Sequence, residues 1–344
     1  MSSEILPVNL APRGAPEGRV WSVGVDIALT LMLLALVVYG AVYLDPAISA
    51  GTQRPQRPPV GPVLLSALMP IATLGLLSLL ERLFKPGGPR KSLKNYLLHL
   101  QINVFYFFMA GIAGVLTAMA ASAIAHRFGF KPGLIDLRFA QGKGLLALVA
   151  AVWLSAAVGD FFFYWFHRTL HRTPLLWAHH KLHHMDQELE AITIARQNWI
   201  EVFIAALAIS LPMMILFKLD NLDPWKFGVV TGSILTVLTT LFTIGHLNVR
   251  WQVGRASFLY CSPQVHRIHH SRLPQHQDRN FAFVLPLWDV IFGTYYAPFW
   301  DEFPPSGVEG EKEITSFFEA QIFTPREWWR MCRARRKYRA GCPG

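Results

Sequence analysis

The stretch LLALVAAVWLSAAVGDFFFYWFHRTLH, residues 145–171, changes character at His167. Before it, the run is apolar and aromatic apart from Ser155 and Asp160; after it, the chain is polar and basic. A membrane helix needs about 20 predominantly apolar residues, and 145–166 supplies them. His167 and His171 stand four apart, one turn from each other on a single helical face. The segment therefore reads as a membrane helix that delivers two imidazoles to the water boundary. That reading decides the fold class, because other parts of the chain repeat the apolar half of the pattern.

Similar runs occupy 23–44, 61–84 and about 104–125. Shorter ones cover 202–217 and 227–245, as spans or as the arms of a re-entrant hairpin. The chain has 344 residues, 52% hydrophobic and 16% charged, too apolar and too charge-poor for an ordinary soluble enzyme. The expected architecture is all-α: a polytopic membrane bundle of about four full spans plus a shorter helical hairpin, with a cytoplasmic histidine-rich cap holding a dinuclear metal site. Residues 1–20 read as a poorly ordered lead-in. Residues 21–144 hold the N-terminal spans, 145–300 the chemistry, and 301–344 a basic tail. The first run starts too late and is too long for a cleaved signal peptide.

Topology follows from charge. The loop FKPGGPRKSLK (84–94) is basic and falls on the same side as the segment after residue 166, which the positive-inside rule makes cytoplasmic. The bias is mixed, since 126–143 also carries Arg127, Lys131, Arg138 and Lys143. If the two shorter runs go out and back, His246 returns to the face that holds the other histidine clusters. A bacterial inner membrane, with the site facing the cytoplasm, fits this arrangement. Net charge is +10, which anionic headgroups explain; no nucleic-acid motif accompanies it. Cys261, Cys332 and Cys342 show no C-x-x-C spacing and fit a reducing compartment. REWWRMCRARRKYRAG (326–341) reads as an interfacial helix on an anionic leaflet.

The histidines carry the functional signal. Six of 13 lie within 167–184 or its immediate repeat H-x-x-H-H, formed by His180, His183 and His184 beside His179. His266, His269 and His270 repeat the same pattern. On a helix such a triplet can converge from one turn, and neutral imidazole is the ligating form for iron, copper or zinc. Eight clustered histidines exceed one tetrahedral ion and suit two five- or six-coordinate metals. Asp160 and Tyr164 lie on the same face as His167. Asp160 is expected to hold a ligand histidine's tautomer, since an intramembrane acid is costly without a role. Lys181 and Arg267, inside the boxes, read as solvated surface charge, with contact to a lipid headgroup or electron donor as the alternative. FFFYWF (161–166) reads equally as a lipid-channel lining or an interfacial aromatic belt.

GDFFFYWFHRTLH (159–171), WAHHKLHH (177–184), GHLN (245–248), SPQVHRIHHS (262–271) and LWDVIFGTYY (287–296) together resemble the fatty acid hydroxylase superfamily, which includes sterol desaturases and C4-methyl-sterol oxidases. The resemblance runs from about Leu148 to Tyr296. It implies a non-haem di-iron centre, with His246 as a ninth ligand, and dioxygen as co-substrate; zinc can replace iron in purified samples. It also implies Asp289 as a support for a ligand histidine. Where relatives often read R-x-H-P-x-E, this chain has RQNWIE (196–201), with Asn198 in place of the histidine and Glu201 retained. The implied activity is hydroxylation of a lipid C–H bond, with desaturation as the alternative on the same site. No haem segment, dinucleotide fingerprint or iron–sulfur spacing is present, so electrons come from a separate ferredoxin, or a cytochrome with its reductase. A histidine-rich metal transporter and a non-catalytic zinc-binding cap are the rivals of another class. Transport is disfavoured because these histidines sit at helix ends rather than at the midplane.

Overall fold

The computed structural model describes residues 73–83, 93–131, 133, 135–136, 145–217 and 237–339. The lead-in and the first apolar run lie outside the described residues, as do most of 61–84 and the start of 227–245. The described residues are helical, with no strand and only two isolated bridges, Ile135–Phe217 and Ser271–Ser306. In chain order the helices are α1 (73–83), α2 (Leu93–Phe128), α3 (Leu145–Arg172), α4 (Pro174–His184), α5 (Trp199–Ala205), α6 (Leu211–Leu216), α7 (237–245), α8 (Pro263–His269), α9 (Leu287–Ile291) and α10 (Phe317–Arg339).

Local chemistry sets the breaks that matter for the site. α3 ends at Arg172, and Pro174 opens α4 at a position whose N–H needs no partner. Only Thr173 separates the two helices, so the chain doubles back and α4 packs on α3. α8 starts the same way, with Ser262 before Pro263. α5 and α6 are joined by a π-helical turn, Ala206–Ser210, just before Pro212, which has no N–H to return to the preceding turn. The resulting run Trp199–Leu216 is the one helix among the described residues long and apolar enough to cross a membrane, by length and composition; only 17% of it is buried. The sequence leaves 202–217 open between a span and the arm of a re-entrant hairpin.

α2 crosses behind both halves, against α5 and α6 on one side and α10 on the other. One apolar core joins Leu98 and Ile102 of α2, Leu182 and Met185 beside the second histidine box, and Ile314, Ala320 and Phe323 at the C-terminal helix. Full burial of Phe323 contributes about 2–3 kcal/mol. α10 thereby closes over the back of α4. Three polar contacts fix it there: Asn198 Nδ2 donates to the carbonyls of Ala320 and Gln321, Trp328 Nε1 to that of Leu175, and Lys181 bridges Glu311 and Glu327 at 2.6 and 2.7 Å. Lys181 is therefore a partly buried clamp rather than a solvated charge. Arg267 likewise is buried, donating to the Pro304 carbonyl at 2.7 Å and lying 3.8 Å from the Phe303 ring. In both cases a long side chain with a buried stem found an acceptor that sequence spacing does not display.

Candidate metal centre

The nine histidines singled out from the sequence converge in two groups. His167, His171, His180, His184 and His269 form one; His183, His246, His266 and His270 form the other. Within each group the nitrogens lie within 4.8 Å of one another. All nine are buried, His171 partly. The groups adjoin, with His184 and His270 stacked at 4.3 Å and His180 5.2 Å from His183.

Each H-x-x-H-H box is split between the groups instead of converging on one point. His180 and His184 go to the five-membered group while His183 goes to the other; His266 and His270 go to the four-membered group while His269 goes to the first. Helical geometry explains this. At about 100° per residue, positions i and i+4 differ by about 40°, whereas i+3 lies about 60° to the opposite side. A box therefore straddles two sites, and α4 and α8 each bridge them.

The outer nitrogens are held by the protein. His167 Nδ1 is 2.6 Å from the Phe281 carbonyl, His269 Nδ1 2.9 Å from that of Arg279, and His246 Nδ1 3.2 Å from that of Phe242. His180 Nδ1 is 2.9 Å from Glu201 Oε1. A carbonyl only accepts, so His167 Nδ1 carries the proton and its Nε2 is a lone pair; Glu201 in its carboxylate form imposes the same tautomer on His180. Yet these two Nε2 atoms face each other at 2.8 Å. Similar contacts join His246 to His183 and to His266 at 3.3 Å, and His266 to His270 at 3.0 Å. The buried Nε2 atoms of His171, His184 and His269 have no partner. Facing lone pairs repel unless a cation lies between them. Two nitrogens bound at about 2.1 Å and at right angles stand about 3 Å apart, the spacing seen here. The donor set fits two metal ions.

Burial, reinforced by the neighbouring imidazoles, pushes the pKa of the cage histidines well below the ordinary value; for His246 and His269 it falls to about 4, with burial the largest cause. The neutral, ligating form is thus the resting one near neutrality.

Asp160 does not hold a histidine. Its oxygens accept the backbone N–H groups of Phe283, Val284 and Leu285 at 2.7, 3.2 and 2.6 Å. Asp289 accepts those of Phe281 and Ala282 at 2.7 and 2.8 Å. Two carboxylates thus satisfy five successive amides of the loop whose Phe281 carbonyl fixes His167. Asp289 supports a ligand histidine through that peptide, not by contact. Tyr164 is fully buried, with its hydroxyl 2.9 Å from Thr294 Oγ1 and accepting from Arg168; it belongs to the same scaffold and lies outside both histidine groups. A short acid beside an apolar stretch gave a signal for Asp160 but not for what it binds.

Glu201 is the residue whose role the sequence left open. It is buried, touches His180, and its second oxygen has no partner. Asn198, which stands in place of a histidine, caps α5 through Ile200 N and tethers α10. His179 points away from the cage, edge-on to Trp328 at 4.7 Å. His276 is also outside it, held between Ser271 Oγ and Glu302 Oε1, each at 2.9 Å.

Residues 152–294 match the family model described as fatty acid hydroxylase. The chain is 33% identical to alkylglycerol monooxygenase of Homo sapiens over 146 residues, 42% of this chain and 31% of that protein. It is 28% identical to ornithine lipid hydroxylase OlsE of Rhizobium tropici over 172 residues, 50% of this chain and 49% of that protein. It is 27% identical to Protein CER1-like 2 of Arabidopsis thaliana over 148 residues, 41% and 23% of the two chains. The chain thus matches less than half the length of each of these relatives. No solved structure matches.

Proposed function

We propose, starting from the fatty acid hydroxylase domain at residues 152–294, that this protein is a multi-pass membrane oxygenase that places a hydroxyl group on a lipid C–H bond. The observation that carries the reading is the cage of buried, mutually facing Nε2 atoms, five in one group and four in the other. The names of two relatives, an alkylglycerol monooxygenase and an ornithine lipid hydroxylase, support a lipid as substrate. Two iron ions held there supply dioxygen reduction and attack on an unactivated C–H bond, with electrons from a separate donor protein.

The chain's own residues do the rest. His167, His171, His180, His184 and His269 hold one ion; His183, His246, His266 and His270 hold the other. Glu201 and the Phe281 carbonyl fix the rings of His180 and His167, which raises their basicity as ligands. Asp160 and Asp289 keep the 281–285 loop in place. Residues 145–300 are the catalytic unit, 21–144 the membrane scaffold and 301–344 a C-terminal segment whose helix α10 packs on α4. α3 is 28 residues, about 42 Å long against a hydrocarbon core of about 30 Å, so its length leaves room to project His167 and His171 beyond a bilayer. The site then faces the cytoplasm, where a soluble donor reaches it while the lipid enters from the bilayer.

The test is lipid analysis under labelled dioxygen in cells expressing the wild type or His183→Ala/His184→Ala. One labelled oxygen in a lipid only with the wild type supports the reading. A lipid that loses two hydrogens without label converts the activity to desaturation. No lipid change in an iron-loaded, donor-supplied sample rejects the oxygenase.

A further inference from the structure

We infer that Phe163, Phe242 and Phe283 form the bed on which the lipid chain lies beneath the metals, and that this bed sets which carbon is presented. The inference rests on the oxygenase reading and deepens it. Phe163 precedes His167 by four residues on α3, and Phe242 precedes His246 by four at the end of α7. Side chains on a helix tilt toward its N-terminus, so each phenyl lies one turn nearer the apolar part of its helix than the ligand it precedes. The rings stay against the cage: Phe163 is 5.0 Å from His167, and Phe242 is 4.6 Å from His246 and 5.5 Å from His266. Phe283, from the loop pinned by Asp160, closes the set, stacked on Phe242 at 3.7 Å and 4.8 Å from Phe163. Two helices and a loop thus bring three phenyls together beside both histidine groups.

Two further observations point to a hydrocarbon occupant. Phe163 and Phe283 remain partly exposed although Phe163 lies against buried His167 and Phe283 stacks on buried Phe242, so the bed has an open side. The apolar cluster that contains Phe242 and Phe283 shares Tyr106 with the cluster of Ala113, Val202 and Ala206. Val202 and Ala206 belong to the mostly half-buried apolar run Trp199–Leu216. A continuous apolar path therefore joins a candidate membrane span to the cage. The three phenyls offer no hydrogen-bond partner, so neither water nor a polar headgroup is held against them. The other flanks differ: Glu201 backs His180, and backbone carbonyls back His167, His246 and His269.

Two experiments separate this inference from the activity it rests on. In the first, zinc-loaded protein in lipid nanodiscs is photolysed with a phospholipid carrying a diazirine along its acyl tail. Adducts are expected on the peptides holding Phe163, Phe242 or Phe283; adducts confined to other surfaces overturn the bed. This readout needs no turnover, so adducts at the bed with no oxygenated lipid from the iron-loaded wild type would sink the oxygenase reading alone. In the second, the position of the new oxygen is mapped by mass spectrometry for wild type, Phe242→Ala and Phe283→Ala, with Phe283→Leu as the variant least prone to misfold. Truncation is expected to spread the oxygen over neighbouring carbons while iron content stays at the wild-type level. The same single carbon at a reduced rate in all three variants overturns the assignment.

Discussion

Replacing Glu201 with glutamine probes the link between a buried acid and one half of the centre. The carboxylate accepts His180 Nδ1–H at 2.9 Å, and both side chains are almost fully buried. Glutamine keeps the shape and one acceptor but removes the charge. Hydrogen bonds to charged groups contribute about 1.5–3 kcal/mol against about 0.5–1.5 for neutral pairs, a loss of about 1–1.5 kcal/mol. That corresponds to roughly five- to twelvefold weaker iron binding. Glu201→Ala, which leaves the imidazole N–H without an acceptor, is expected to cost about 10–100-fold. The loss should fall on the five-histidine group alone, because His183, His246, His266 and His270 have no contact with Glu201. Iron titration against a competing chelator, followed by Mössbauer spectroscopy, reads the two ions separately. Equal weakening of both ions, or unchanged affinity in the alanine variant, would refute the coupling.

Four further outcomes follow from the same geometry. Asp160→Asn leaves the Leu285 N–H facing an amide instead of an oxygen, costing about 1–3 kcal/mol; a melting temperature equal to wild type would contradict this. The cage histidines of the metal-free protein are neutral when folded and protonate at about 6.5 when unfolded. Their contribution to stability is therefore complete above that pH and is lost as pH falls toward about 4; melting temperatures of metal-free protein that stay flat between pH 7 and pH 4.5 would exclude it. Lys181→Met removes the lysine from Glu311, leaves Glu327 with Arg330 alone and should loosen α10, at about 1–3 kcal/mol, seen as faster proteolysis within 317–339; an unchanged digestion rate would show that the clamp does not hold the helix. His276→Gln should bind two irons like the wild type, since His276 lies outside both groups; loss of an ion would place it in the cage.

Much of the centre was legible because helical spacing is rigid. His167 and His171, and the two H-x-x-H-H boxes, announce themselves by period, and the chain brings all of them together. What spacing hides is allocation. The expectation that each triplet converges on one point fails because i+3 and i+4 lie on opposite sides of the first residue. Contacts across long sequence distances were hidden altogether. Asp160 reads as a histidine partner, yet it meets backbone amides more than 120 residues away. Lys181 and Arg267 read as surface charge until α10 and the 303–304 segment cover them. The helical character was legible in the composition, but the breaks between helices were not. The π-helical turn that lengthens the run ending at Leu216 arises from backbone geometry around Pro212, which no hydropathy pattern records.

The interleaving of the boxes also imposes an order on maturation. Four of the five imidazoles in the first group come from residues 167–184, a single helical hairpin. Once the ribosome has delivered that hairpin, a first ion has most of its ligands. The second group has only His183 until His246 is made, and it stays half-built until residues 266–270 emerge. A cage loaded during synthesis would therefore fill in sequence. A nascent chain stalled between the second and third boxes would carry a mononuclear intermediate, with the empty neighbour waiting on the last box.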